Sequence, residues 1–295
     1  METTKQKSSN GTHKDVYTIV TERIIEQLNK GTAPWRQPWS FAGKPQNLIS
    51  GRPYNGINLM LLACLGYEHN LFLTSKQLKE IGGSIKHDER PHIVVFWNFP
   101  DKEEPEKEEK KKTPYLRYYT VFNIEQCDGI PEKYLPNPNE VRAYSIETGE
   151  LILKCMPQCP EIKFKEQRAY YDPLRDFINM PKKTSFESRQ SYYATLFHEL
   201  VHSTGHRSRL NRKDVIEMHE FGSEPYSHEE LVAEIGGCFL QSWSGIHAPF
   251  EQSVAYIQGW LQKLQNDKKF IFTAAKHAQK AVDFILNIEP TVHEE

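Results

Sequence analysis

The sequence predicts an α+β protein in two domains, a small mixed α+β unit followed by a mostly helical unit with a small sheet. Three observations predict it. Two β-rich runs, 92–99 and 115–124, stand among short helical patterns in the first half. Apolar residues at three- and four-residue spacing dominate the second half. Asn137-Pro138-Asn139 lies between them with the chemistry of a turn. A chain of 295 residues has room for two ordinary domains, here 12–136 and 137–295, after a polar tail at 1–11 that is expected to be disordered.

The elements follow in order. Thr12 or Asp15 starts a helix whose buried face is Val16, Ile19, Val20, Ile24 and Leu28, and Gly31 stops it. An irregular aromatic segment, Ala33-Pro34-Trp35-Arg36-Gln37-Pro38-Trp39, comes next. Residues 58–65 read as a second helix. Residues 74–81 read as a third, capped by Thr74 or Ser75 and ended by Gly82-Gly83. The two β-rich runs form a hairpin around 101–112, a solvated loop of alternating acids and lysines. Beyond 137–139 come a helical segment from about residue 140 and short strands near 162–164 and 169–171. Two further helices then lead to a closing pair lined by Val254, Ile257, Leu261 and Leu264, and by Ile271, Ala274, Ala275, Ala278, Val282 and Ile285.

The first of those two helices carries His198-Glu199-Leu200-Val201-His202, an HExxH pattern. Histidines four apart on a helix share a face, so both imidazoles reach one cation. Glu199 sits about 100° around the helix from His198, where it acts on the nucleophilic water without ligating the metal. A stripe of Tyr193, Leu196, Phe197, Leu200 and Val201 buries one side of this helix. Thr184 and Glu187 have capping-box spacing at its start, and Gly205 supplies a stop. The pattern points to a metal-dependent hydrolase acting on peptide bonds, with Glu199 as general base.

Catalytic zinc takes three protein ligands and leaves one position open. A metzincin would place its third histidine at position 208, which is a serine, and His206 comes two residues too early; it reads as a helix-end histidine. The better candidate lies in the second helix. Leu231, Ile235, Cys238 and Phe239 form its core stripe, and Glu230, Glu234 and Gly237 share another face. Gly237 would admit a second backbone. Glu230 then ligates the metal and Glu234 orients a ligand histidine. Ser227-x-x-Glu230 is also a capping box, and on that reading Glu229 or Glu234 is the ligand. Tyr226 is a candidate oxyanion stabiliser beside this helix.

Lys plus Arg total 37 against 39 Asp plus Glu, a net charge of −2, which excludes a globally basic nucleic-acid binder but not a local basic groove. Five scattered cysteines suggest reduced thiols and a cytoplasmic location. No apolar run approaches the roughly 18 residues of a membrane span, and the N-terminus lacks a signal-peptide core. In the first domain Trp35, Arg36, Trp39, Arg52 and Tyr54 interleave cations with flat rings, which suits stacking and phosphate contact on single-stranded DNA. Arg207-Ser208-Arg209 and Arg212-Lys213 could extend a phosphate track beside the metal.

The chain resembles the ArdC-type antirestriction proteins of plasmids and other mobile elements along nearly all of its length. In the first domain the resemblance rests on Lys30 to Trp39, Gly51 to Asn58, Leu73 to Gln77 and Val121 to Gln126. In the second it rests on Phe197 to His206, Arg209-Leu210-Asn211-Arg212 and Tyr226 to Gly237. The matched segment Leu73 to Gln77 adds Lys76 and Gln77 as candidate DNA contacts. The resemblance implies an N-terminal domain that binds single-stranded DNA, a zincin-like metallopeptidase domain, and protection of incoming DNA from restriction after conjugative transfer. It also implies two histidines and Glu230 as metal ligands. The donor set prefers zinc, and manganese could occupy a His-His-Glu site; the sequence does not identify the protein substrate. Ser203 stands where many relatives have tryptophan, 86–90 is more acidic than the family's lysine-rich turn, and 101–112 is peculiar to this chain. Two other readings use the same residues: a DNA-masking protein with a structural metal, and a peptidase that cleaves a regulator without touching DNA.

Overall fold

The computed structural model describes residues 15–36, 43–98, 115–135, 146–217, 223–246, 248 and 254–289. The proposed polar tail, Trp39, the charged loop 101–112 and the 137–139 junction lie outside these residues, so the boundary between 136 and 137 does too.

Helix α1 (Val16–Asn29) starts at Asp15, whose carboxylate accepts from the Thr18 amide at 3.0 Å, and ends before Gly31 at φ 81°. Strand β1 (Gln46–Asn47), helix α2 (Gly56–Ala63), strand β2 (Leu71–Leu73), helix α3 (Ser75–Glu80) and strand β3 (Ser84–Ile85) follow. Thr74 caps α3 through a full capping box with Gln77. Strands β4 (His92–Asn98) and β5 (Tyr115–Asn123) pair antiparallel from His92↔Val121 to Asn98↔Tyr115, and β6 (Cys127–Asp128) pairs with β3. The larger sheet has the order β1-β2-β5-β4. Its β4 edge is covered by a side chain: the buried Asn58 amide of α2 donates to Val95 O and accepts from Val95 N, both at 2.7 Å. One side-chain amide thereby pairs a donor and an acceptor that burial would otherwise leave open.

Beyond 145 come α4 (Ile146–Cys155), β7 (Glu161–Lys163), β8 (Tyr170–Asp172), β9 (Phe177–Asn179), α5 (Arg189–Ser203), α6 (Lys213–Ile216), α7 (Glu224–Ser244), α8 (Val254–Asn266) and α9 (Phe270–Ile285). The small sheet has the order β7-β9-β8. Its outer strands β7 and β8 fall at the expected short strands, and its central strand, β9, has no counterpart among the expected elements.

The helix starts also differ from expectation. Ser188, not Thr184 or Glu187, caps α5 by accepting from the Ser191 amide at 3.0 Å. Ser223 caps α7, so Ser227 lies inside the helix, bonded to Ser223 O, and the Ser227–Glu230 capping box does not exist. Gly205 is not a left-handed stop. A Cβ there would lie 2.3 Å from Val215 Cγ2, so glycine is required for close approach.

Both halves of the chain share one core. Val20, Ile24, Trp35 and Leu59 from the first half join Leu196, Phe197, Leu231, Ile235, Ala274 and Ala278 from the second. Helix α7 is central, packed between α5 and α9. At the α5–α7 crossing the tight glycine is Gly236, where a Cβ would lie 2.8 Å from Val201 Cγ2. At Gly237 the corresponding approach to His198 N is an ordinary 3.5 Å. Close packing of α5 on α7 sets the distance between the HExxH face and Glu230.

Candidate metal centre

His198 and His202 stand on α5 and Glu230 on α7, and their ligand atoms lie within 4.8 Å of one another. Nε2 to Nε2 is 3.1 Å, His198 Nε2 to Glu230 Oε2 is 3.6 Å, and His202 Nε2 to Glu230 Oε1 is 3.6 Å. Bonds of about 2.0–2.1 Å at tetrahedral angles separate ligand atoms by about 3.3–3.4 Å. Two imidazoles and a carboxylate at these spacings therefore fit a zinc-sized divalent cation. Glu199 is buried, close enough for its charge to act on His202, and is not one of the three ligand groups.

Glu229, immediately before Glu230, supports the centre from outside. Its Oε1 lies 3.1 Å from His202 Nδ1. That contact holds the proton on Nδ1 and leaves the Nε2 lone pair facing the centre. Arg212 fixes Glu229 in turn: Nε donates to Oε2 at 2.9 Å and Nη2 to Oε1 at 2.6 Å, while Nη1 reaches Thr204 Oγ1 at 2.6 Å. Burial alone would push Glu229 up, but the Arg212 charge and hydrogen bonds hold it at about 2. Burial also opposes a charged His202, yet the Glu229 bond and the charges of Glu229, Glu230 and Glu199 raise it to about 9. A cation entering this field takes the place of that proton. Glu230 itself lies below its ordinary value: burial opposes ionisation, and the His198 hydrogen bond and the imidazole charges outweigh it.

The histidine-orienting bond expected of Glu234 is made by Glu229. Glu234 Oε2 instead accepts from Trp35 Nε1 at 3.2 Å and from the Tyr256 hydroxyl. Neither Glu229's role nor Arg212's was marked by a motif; the available signal was Glu229 next to Glu230 and a matched arginine downstream. Tyr226 comes to the centre, where its hydroxyl hydrogen-bonds Glu230; burial and that carboxylate push it up to about 12. His206 Nδ1 contacts Ser208 Oγ at 2.8 Å and is not a ligand in this arrangement.

Several proposed DNA contacts are structural. Trp35 is fully buried, with its ring edge-on to Trp260 at 6.2 Å. Tyr54 is buried against Phe72. A ring enclosed in the core cannot stack on a base. Gln77 is occupied by the α3 capping box and by reciprocal bonds with Asn47. Arg52 and Lys76 are exposed, and Arg36 closes a 3-10 turn, Pro34–Arg36. The phosphate track loses two of its four cations: Arg212 is buried on Glu229, and Arg209 is buried on Asp176, Tyr171 Oη (3.1 Å) and Ser203 O (2.7 Å), while Arg207 and Lys213 are exposed.

Trp35→Phe is expected to destabilise the chain by about 1–3 kcal/mol in urea unfolding, because the half-buried Glu234–Tyr256 pair loses its indole donor. Parent-like stability would show that this bond contributes nothing.

A family model for the N-terminal domain of anti-restriction factor ArdC matches residues 14–122, and one for a zincin-like metallopeptidase matches 157–277. The crystal structure of the antirestriction protein ArdC from plasmid R388 in its Mn(II)-bound form is 38% identical, with a TM-score of 0.74, over 95% of this chain and 100% of that one. The metal-free form gives 39% and 0.76, over 93% and 97%. A DNA primase TraC of Escherichia coli is 37% identical over 94% of this chain. Protein y4eC of Sinorhizobium fredii is 31% identical over 93% of this chain and 92% of its own length. The chain spans only 27% and 20% of the two TraC primases it matches. No helix among the described residues is long and apolar enough to cross a membrane.

Proposed function

The chain belongs to the family of ArdC-type antirestriction proteins, and we propose that it binds single-stranded DNA and cleaves a protein substrate at a metal centre of His198, His202 and Glu230. The observation that carries the peptidase reading is the ligand triangle of 3.1, 3.6 and 3.6 Å, with the buried Glu199 carboxylate near enough to act on His202 and Tyr226. Zinc suits two imidazoles and a carboxylate, and manganese, present in the R388 relative, is the second candidate.

A divalent cation held there lowers the pKa of water toward ~7 and polarises the scissile carbonyl. The chain's own groups do the rest. Glu229 keeps the His202 proton on Nδ1. Glu199 accepts the proton of the attacking water and returns it to the leaving amine. Tyr226, released from Glu230, offers its hydroxyl to the developing oxyanion. The DNA-binding half places this chemistry near transferred single strands.

Metal analysis of the purified chain, combined with cleavage of an unstructured protein such as casein, tests the enzyme reading. Chelator-sensitive cleavage in the presence of single-stranded DNA is expected. Absence of cleavage by the metal-loaded chain would reject it. Mobility shifts on single strands across a salt series test the other half: affinity is expected to fall with salt, and no affinity at low salt would reject DNA binding.

A further inference from the structure

The β4–β5 ribbon extends outward from its anchorage in the sheet. Val94 and Val121 pack at its root with Phe72 and Leu62, and β2 pairs with β5 only at Phe122 and Asn123. Past that root one ribbon face carries Tyr119, Arg117 and Tyr115 at alternate positions, opposite Val94, Phe96 and Asn98. Tyr119 is 48% exposed and Tyr115 43%. Phe96 braces Tyr119 at 5.4 Å, and the Arg117 guanidinium lies 5.1 Å over the Tyr115 ring. Arg117 has no carboxylate partner among the described residues. The other face adds Tyr118 and Trp97, each 44% exposed.

We propose that this ribbon is the base-stacking platform for single-stranded DNA, with Tyr119 and Tyr115 as stacking rings and Arg117 as the phosphate contact between them. The proposal rests on the reading that the chain binds single strands, and it supplies the exposed rings that Trp35 and Tyr54 do not. Two features favour an unpaired strand over a protein partner. The exposed large apolar groups at positions 97, 115, 118 and 119 are flat rings rather than branched aliphatics. A guanidinium without a carboxylate partner among the described residues lies over one of them, complementary to phosphate. Base pairs hide the faces these rings need, so duplex binds more weakly.

Tyr115→Ala and Tyr119→Ala are each expected to weaken binding of a mixed-sequence single-stranded oligonucleotide about 5- to 100-fold, the range one ring contributes. Arg117→Ala should reduce the salt slope by roughly 0.7. In the unaltered chain, an oligonucleotide carrying 5-iododeoxyuridine should photocrosslink to residues 115–119, a readout that needs no variant to fold. Parent-like affinity in the double tyrosine variant, or crosslinks confined to other segments, would overturn the platform while leaving DNA binding intact. No affinity in the parent chain would reject the underlying reading and the platform with it.

Discussion

Glu199→Gln is expected to retain the bound metal and to lose hydrolysis by about 10²–10⁴-fold, the range a positioned general base contributes. The two halves of this result come from different atoms. Metal retention follows because His198, His202 and Glu230 form the ligand triangle and Glu199 stands outside it. Loss of rate follows because a glutamine of the same shape cannot take a proton. Glu199 is buried, so bulk water does not readily replace it as base. Metal content and turnover of one sensitive substrate, measured on the same samples, separate the outcomes. Equal turnover would remove Glu199 from the chemistry. Metal loss as complete as that of His202→Ala would make it a ligand instead.

The same contrast, local signal against tertiary arrangement, governs how much the sequence disclosed. Asp15 and Gly31, or Thr74 and Gln77, act within a few residues of themselves, so composition and spacing were enough to find α1 and α3. The spacing of His198 and His202 likewise dictates a shared face on any helix. Glu229 and Glu234 were not separable that way. Both lie on α7 within one turn of Glu230, and their roles are set by what arrives from elsewhere: Arg212 from the loop after α5 for Glu229, Trp35 and Tyr256 for Glu234. Trp35 shows the same limit from the other side. Beside Pro34 and Arg36 it reads equally as a core anchor or as a ring for DNA, and only Glu234 of α7 and Trp260 of α8, which close over it, decide for the core. Ser223 displaced Ser227 as the α7 cap because the helix begins a turn earlier than its apolar stripe, and Pro225 in the first turn tolerates that start.

Arg212→Ala is expected to destabilise the protein by about 3–5 kcal/mol and to weaken metal binding about 10- to 100-fold, although Arg212 touches no ligand atom. Both effects pass through Glu229, whose side chain is 8% exposed. Without the guanidinium, burial dominates and drives that carboxylate toward its neutral form. A neutral Glu229 is a poorer acceptor for His202 Nδ1, and the ring loses the bond that aims Nε2. The pH dependence has a definite sign. Glu229 is depressed from 4.5 to about 2, so its contribution is complete above about 4.5 and is lost as pH falls toward about 2. The variant should lack that part of the parent's acid sensitivity. Arg212→Lys keeps the charge but not the fork that spans both Glu229 oxygens, and should fall between the two. A double-mutant cycle with Glu229→Gln distinguishes this account from simple loss of packing: coupled residues give a double variant far less damaged than the sum of the single ones. Additive losses, or full metal affinity in Arg212→Ala, would mean that His202 is oriented by something other than the Arg212–Glu229 pair.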